Sequence, residues 1–170
     1  MKIKSNVVTF ALSLVASVVS FNAFAVNVEL ADEKWDGKLV PQGQQCQKFG
    51  GIEPATPRLL VTNIPAGTDA LLFEYSDRDS ERMNNGGHGK IQLALQGKTI
   101  QASVASVPGH SFDLPKSFTM ISAHANPAWD IAGAYMPPCS GGKGHEYYVT
   151  VKAMDGDKML ESTVLELGKY

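Results

Sequence analysis

The strongest constraint on the fold is an alternation of apolar and polar residues, interrupted by glycine and proline. A period of two predicts β-strands, whereas an amphipathic helix repeats about every 3.6 residues. The chain of 170 residues contains 16 Gly and 9 Pro, which favour many turns. The pattern predicts strands at residues 58–63, 70–75, 91–95, 99–104, 118–122 and 147–153.

Two long segments, residues 77–89 and 126–144, carry almost no strand pattern. Long irregular loops in a compact domain are commonly functional. The tail at residues 158–167 fits either a short helix or an edge strand. We therefore expect one mainly β domain over residues 26–170, with few short helices and two large loops.

The first 25 residues have the features of a secretory signal peptide. Lys2 and Lys4 give a basic start, and residues 7–19 form an apolar run too short to span a bilayer comfortably. An A-x-A cleavage site ends at Ala25. The alternative is an uncleaved anchor. We expect cleavage after Ala25 and export to the periplasm or the cell exterior.

Composition and charge exclude several classes of protein. Apolar residues make up 44% of the chain and charged residues 19%, which is typical of a globular protein rather than a disordered one. The formal net charge is −2, so the chain lacks the basic surface that nucleic-acid binding requires. We expect no nucleic-acid partner.

The chain has two cysteines, Cys46 and Cys139. A small even number of cysteines in an exported protein predicts a disulfide bond. Two buried free thiols are the alternative, although an oxidising compartment would expose them to oxidation. We expect Cys46 and Cys139 to be joined.

Four polar residues lie where predicted strands meet the large loops: Asp77, Asp79, His88 and His145. Neighbouring strand ends would bring them together, and nearby glycines would leave backbone N–H groups open to an anion. The alternatives are structural. The two aspartates are also typical turn-capping residues, His88 could be a plain loop residue, and His145 a core residue.

The remaining histidines and tyrosines give weaker signals. His110 follows a Pro-Gly pair and is expected on a surface loop, while the pattern does not decide the place of His124. The tyrosines at positions 135, 147 and 148 are typical of core residues.

Familiar catalytic and metal motifs fail on inspection. Pro137 occupies the first glycine position of a P-loop, and Pro138 occupies the first glycine position of a nucleophile elbow. A calcium loop starting at Asp77 would need an acid where His88 stands. A zinc site from His88, His145 and Cys139 has no recognised spacing. We expect neither a metal nor another cofactor.

Four blocks together resemble the phosphatidylethanolamine-binding protein family, in its bacterial Raf-kinase-inhibitor-like branch. They are P-x-x-P-R-L with I-P-A-G-T at residues 54–68, D-R-D-S at 77–80, His88 before a strand, and Y-M-P-P-C with G-H-E-Y at 135–147. No single block is specific, but their order and spacing are. The resemblance covers residues 46–155, most of the predicted domain.

The resemblance implies a β-sandwich-like fold of two antiparallel sheets with a small anion pocket at one end. The implied ligand is phosphate or a phosphorylated head-group such as phosphoethanolamine. Carried over to this chain, the ligand-binding residues are Asp77, Asp79, His88, Pro138, His145 and Tyr147.

The chain departs from the family pattern around this pocket. Arg78 replaces a proline, Glu146 replaces an arginine, Ser140 and Gly141 replace a proline pair, and the tryptophan expected after His88 is missing. These changes favour a more open rim and make a small anion a better expectation than an intact phospholipid.

The sequence supports three hypotheses about the function of the protein. The first is an exported, non-enzymatic binding protein for a small anion. The second is an exported module that inhibits or modulates a protein partner through its loops. The third is a hydrolase that uses His88 or His145 as a base. For the first, we expect the carboxylate to raise the pKa of both histidines, so that binding weakens at higher pH.

Overall fold

The computed structural model describes residues 25–170. The predicted signal peptide lies outside these residues apart from Ala25, so its prediction stands untested. Within residues 25–170, no helix is long and apolar enough to cross a membrane.

Eight strands form the fold, and all six predicted strands are among them. The undecided tail is a strand rather than a helix, and the only helices in residues 25–170 are two single 3-10 turns, Gln47–Phe49 and Glu81–Met83. The strands are β1 (Asn27–Leu30), β2 (Leu59–Thr62), β3 (Ala70–Asp77), β4 (Gly89–Ala94), β5 (Gln101–Val104), β6 (Phe118–Ser122), β7 (Glu146–Asp155) and β8 (Lys158–Lys169).

The strands form two antiparallel sheets, as predicted. One has the order β1-β2-β5 and the other the order β6-β4-β3-β7-β8. Side chains from both sheets share one apolar core, including Val61 of the small sheet and Phe73 and Val149 of the large one. The central strand β3 is buried along almost its whole length, which explains its nearly continuous apolar sequence.

The sequence pattern does not predict the first strand and does not indicate where Trp35 lies. β1 pairs with β2 over four residues, with Val28 opposite Val61. Trp35 is only 5% exposed and belongs to the shared core, so it anchors the segment that follows β1.

The predicted disulfide is confirmed. Cys46 and Cys139 are bonded across a sequence separation of 93 residues, with their Cα atoms 5.2 Å apart. Both are buried in a second apolar cluster with Met83 and Met136. Closing a loop of this length contributes about 4 kcal/mol to stability in the chain-entropy model. It ties the segment before β2 to the loop that leads into β7.

Gly89 lies where the loop that leads into β7 packs against the sheet, so a substitution there tests how tightly the two pack. Its φ is +126°, and an added Cβ would lie 2.1 Å from the carbonyl oxygen of Ala134. Gly97 also has a positive φ, +68°, but its Cβ would meet nothing within 4 Å. We expect Gly89→Ala to lower the free energy of unfolding by at least about 2 kcal/mol more than Gly97→Ala.

Urea denaturation of both variants measures this difference, and Gly97→Ala controls for the strain of a left-handed backbone. Equal losses in the two variants would mean that the loop moves away from Gly89 at little cost.

Candidate functional site

Three adjacent strand ends bring the predicted polar residues together. Asp77 is the last residue of β3 and pairs with Tyr147 near the start of β7. His145 directly precedes β7, and His88 directly precedes β4, the other neighbour of β3. Because neighbouring strands run antiparallel, the C-terminal end of β3 lies beside the N-terminal ends of β4 and β7, at one end of the sheet.

A cavity of about 170 Å³ opens at this end of the sheet. Its wall combines residues from the strand ends with residues from both large loops. They are Asp77, Ser80, Met83, His88, Asn126, Trp129, Met136, Cys139, Ser140, Lys143, His145 and Tyr147.

Asp77 and His145 form a hydrogen-bonded pair in this wall. Nδ1 of His145 lies 2.7 Å from Oδ2 of Asp77, whose side chain is 5% exposed. A carboxylate accepts hydrogen bonds, so Nδ1 of His145 carries the proton and the ring is fixed in orientation. The other carboxylate oxygen of Asp77 accepts the backbone N–H of Asp79 at 2.9 Å. Asp77 therefore caps a turn and orients a histidine as well.

Asp79 is brought near the site but has a structural role. Its Oδ2 accepts the backbone N–H of Glu146 at 2.8 Å, which ties the end of β3 to the start of β7. It is not part of the cavity wall.

His88 is buried, with 3% of its surface exposed. Its Nδ1 lies 2.6 Å from the carbonyl oxygen of Met136, and its ring meets the ring of Tyr147 edge-on at 5.3 Å. Burial lowers the pKa of His88 to about 4, and the hydrogen bond to Met136 and the charge of Asp77 oppose this only partly. Asp77 acts in the expected direction, but the expectation that His88 stays partly protonated is wrong because burial outweighs the carboxylate. His88 is neutral near pH 7, so it offers an anion no positive charge.

Tyr147 lines the cavity, whereas Pro138 lies behind it. The hydroxyl of Tyr147 accepts the backbone N–H of Cys139 at 3.1 Å, and burial raises its pKa. The phenol therefore stays protonated and can donate its own hydrogen. Pro138 shares with His88 and Tyr147 a crevice with no room for a water molecule, so it supports these rings.

Lys143 and Trp129 belong to the cavity wall but were missed in the sequence. Lys143 stands in the glycine-rich segment before His145, and a lone cation among glycines was the available signal. Trp129 gave none. Its indole N–H donates to the carbonyl oxygen of Cys139 at 3.2 Å, and the ammonium of Lys48 lies 3.3 Å from its ring centre. Two lysines thus lie at or near the cavity rim.

His110 does not lie on the surface, so that prediction is wrong. Its side chain is 4% exposed, and its Nε2 lies 2.5 Å from Oδ2 of the equally buried Asp130. His124 is buried too, with Nε2 at 3.0 Å from the carbonyl oxygen of Ile131. These two histidines hold the loop around Trp129, through partners 20 and 7 residues away that no strand or helix period connects to them.

One group near the cavity has the spacing of metal ligands. Ligand atoms of Asp77, Asp79 and His145 lie within 4.8 Å of one another. The two carboxylates already accept hydrogen bonds from His145 and from the backbone of Asp79 and Glu146. Their arrangement is explained by these hydrogen bonds, so it gives no reason to assign a metal.

Comparison with solved structures identifies the fold. E. coli YbcL, described as a member of the mammalian phosphatidylethanolamine-binding protein family, superposes with a TM-score of 0.55 and 17% identity, covering 86% of this chain and 98% of that one. A phosphatidylethanolamine-binding protein homologue from Chlamydia trachomatis gives a TM-score of 0.50 and 19% identity, covering 86% and 97%. No family model and no curated protein sequence matches the chain. The chain has the fold of the phosphatidylethanolamine-binding proteins, which confirms the fold that its motifs implied.

The buried, neutral His88 gives a prediction for stability. The unfolded chain binds a proton at this histidine with a pKa of 6.5, whereas the folded chain does so only near 4. Between these values the unfolded state holds more protons, so the free energy of unfolding falls as the pH is lowered from 6.5 to 4. The contribution of His88 to this fall is about 3 kcal/mol.

Denaturation of the parent chain and of His88→Phe at several pH values measures this contribution, because the phenylalanine variant lacks it. NMR titration of the ring reports the histidine directly. A His88 ring that titrates at or above 6.5 in the folded chain contradicts the assignment.

Proposed function

We propose that this chain is an exported, non-enzymatic member of the phosphatidylethanolamine-binding protein family that takes a small phosphorylated anion in the cavity at the ends of β3, β4 and β7. The observation that carries the proposal is the set of polar groups around this cavity: the Lys143 ammonium and the Tyr147 hydroxyl, which donate hydrogen bonds, and the His145 ring, which Asp77 orients. A cationic donor such as the Lys143 ammonium favours phosphate oxygens.

The loop from Ser140 to Lys143 adds further donors. The backbone N–H groups of Gly141, Gly142 and Lys143 make no hydrogen bond within residues 25–170. Gly141 and Gly142 adopt positive φ values of 74° and 77°, and they lack side chains that would cover the amides. Consecutive free amides beside a lysine are a suitable environment for an anion.

The size of the cavity favours a head-group over a whole lipid. A volume of about 170 Å³ is below the range of about 300–1,000 Å³ that is typical of drug-sized ligands. Inorganic phosphate and phosphoethanolamine are small enough for it. The acyl chains of a phospholipid would have to remain outside.

The pairing of Asp77 with His145 also raises the possibility of hydrolysis, because an oriented imidazole can act as a general base. A covalent mechanism would need a free nucleophile beside it, and the hydroxyl of Ser140 instead donates to the carbonyl oxygen of Tyr170 at 2.5 Å. A water activated by His145 needs no such nucleophile, so hydrolysis is the second candidate function and a turnover assay separates it from binding.

Calorimetric titration with O-phosphoethanolamine tests the binding proposal. We expect saturable binding to residues 26–170, and Lys143→Met should weaken it about tenfold because one charge-assisted hydrogen bond is lost. Lys98→Met is the matched control, since it makes the same charge change on an exposed lysine in the loop between β4 and β5. His145→Ala should abolish measurable binding.

Two results would contradict the proposal. One is the absence of binding to the parent chain, and the other is equal weakening by Lys98→Met and Lys143→Met. Incubation with an aryl phosphate monoester tests for turnover, and release of phosphate above the buffer rate would favour the hydrolase.

Export is proposed from the leader at residues 1–25 and is supported by the buried disulfide, since such bonds persist in oxidising compartments. Mass spectrometry of the protein isolated from the periplasm or medium should find Val26 as the first residue. An intact leader on the isolated protein would contradict cleavage after Ala25.

A further inference from the structure

The hydrogen bond of His88 determines which kind of contact this residue offers to a ligand. Its Nδ1 lies 2.6 Å from the carbonyl oxygen of Met136, and a carbonyl oxygen can only accept. Nδ1 therefore carries the hydrogen, and in a neutral ring Nε2 then has a lone pair. Nε2 makes no hydrogen bond within residues 25–170, although His88 is 3% exposed and lines the cavity.

The rest of the wall supplies donors. Lys143 carries an ammonium group, the amides of Gly141 and Gly142 beside it are unpaired within residues 25–170, and the Tyr147 hydroxyl retains its hydrogen. Both carboxylate oxygens of Asp77 are already engaged, one with His145 and one with a backbone N–H. A bound ligand thus meets several donors and, at Nε2 of His88, an acceptor that opens to the cavity and has no partner within residues 25–170.

Building on the proposed anion-binding function, we propose that this cavity selects anions that carry a hydroxyl hydrogen, namely hydrogen phosphate and protonated phosphate monoesters, over sulfate and phosphodiesters. The P–OH group donates to Nε2 of His88 while the other oxygens accept from Lys143 and the neighbouring donors.

Sulfate is the informative competitor because it has nearly the same size and shape as phosphate. At about pH 8, hydrogen phosphate and sulfate are both dianions, and only hydrogen phosphate retains a hydrogen. Sulfate would place an anionic oxygen against the lone pair on Nε2 of His88, which repels it, and would leave that acceptor without a hydrogen bond.

The groups around His88 do not supply the missing hydrogen. The titratable groups that act on its ring are Asp77, His124 and His145, and Tyr147 contacts the ring edge-on. The carboxylate of Asp77 has no hydrogen to donate, and the Nδ1 hydrogen of His145 is given to Asp77. His124 directs its Nε2 to the carbonyl oxygen of Ile131, and the Tyr147 hydroxyl lies at the amide of Cys139.

The first test compares inorganic phosphate with sulfate on the parent chain by calorimetry at about pH 8. We expect phosphate to bind at least about tenfold more tightly, the cost of one hydrogen bond that sulfate cannot make to Nε2 of His88. Equal affinities overturn the selectivity but leave an anion site in place. Binding of neither anion overturns the selectivity and the proposed function together.

A second pair of ligands tests the same selectivity among phosphate esters. At about pH 5, methyl phosphate and dimethyl phosphate are both monoanions, but only methyl phosphate has a P–OH group. We expect methyl phosphate to bind more tightly by a similar factor. A dimethyl phosphate affinity equal to or higher than that of methyl phosphate contradicts the inference and favours the phosphodiester of a lipid as the ligand.

His88→Phe connects the selectivity to its residue. The variant removes the acceptor and keeps an aromatic ring against Tyr147, so the phosphate-to-sulfate ratio should fall to about one. Lys143→Met should weaken both anions and keep the ratio. A preserved preference in His88→Phe overturns the assignment to His88. Circular dichroism reports whether that variant folds, and if it does not, the two ligand pairs on the parent chain decide the question.

Discussion

The antiparallel pairing of β3 with β7 is the constraint on which the site depends. All eight residues of β3, Ala70 to Asp77, are paired with β7. The inner face of β3 carries Leu71, Phe73 and Tyr75 into the core, and Asp77 is next on the same face. The carboxylate is therefore buried because it continues a core-facing row. A shift of one residue in the register would turn it to the other face of the sheet and separate it from His145.

Burial decides the charge state of His88. The nearby Asp77 carboxylate favours a protonated ring, but a ring that is 3% exposed loses most of its interaction with water, and desolvation is the larger effect. His145 is only partly buried and is bonded directly to the carboxylate. Two histidines in one cavity wall thus have different roles: Nε2 of His88 accepts, while His145 is oriented by Asp77.

The strands could be predicted from the sequence because each signal is local. Alternation over 147–153 and the turn at Gly156 are visible in a few adjacent residues, and the strand ends then locate Asp77, His88 and His145. β1 was missed although Val28 and Leu30 alternate with Asn27 and Glu29, a local signal that the sequence does contain. The burial of His110 by Asp130 and the place of Trp129 depend on contacts between distant segments, which no periodicity records. The shifted pKa of His88 depends on burial, which only the packed structure determines.

The proposed selectivity depends on the balance of donors and acceptors in the cavity wall. A site made only of cations and amides would bind any small anion in proportion to its charge. Here Nε2 of His88 is an acceptor because Nδ1, on the far side of the ring, donates to the carbonyl oxygen of Met136. The ring also packs edge-on against Tyr147. Its lone pair cannot be removed by rotation, because Met136 would then lose its donor. The Met136 carbonyl oxygen therefore determines that Nε2 of His88 is an acceptor, and the proposed ligand must donate a hydrogen to it.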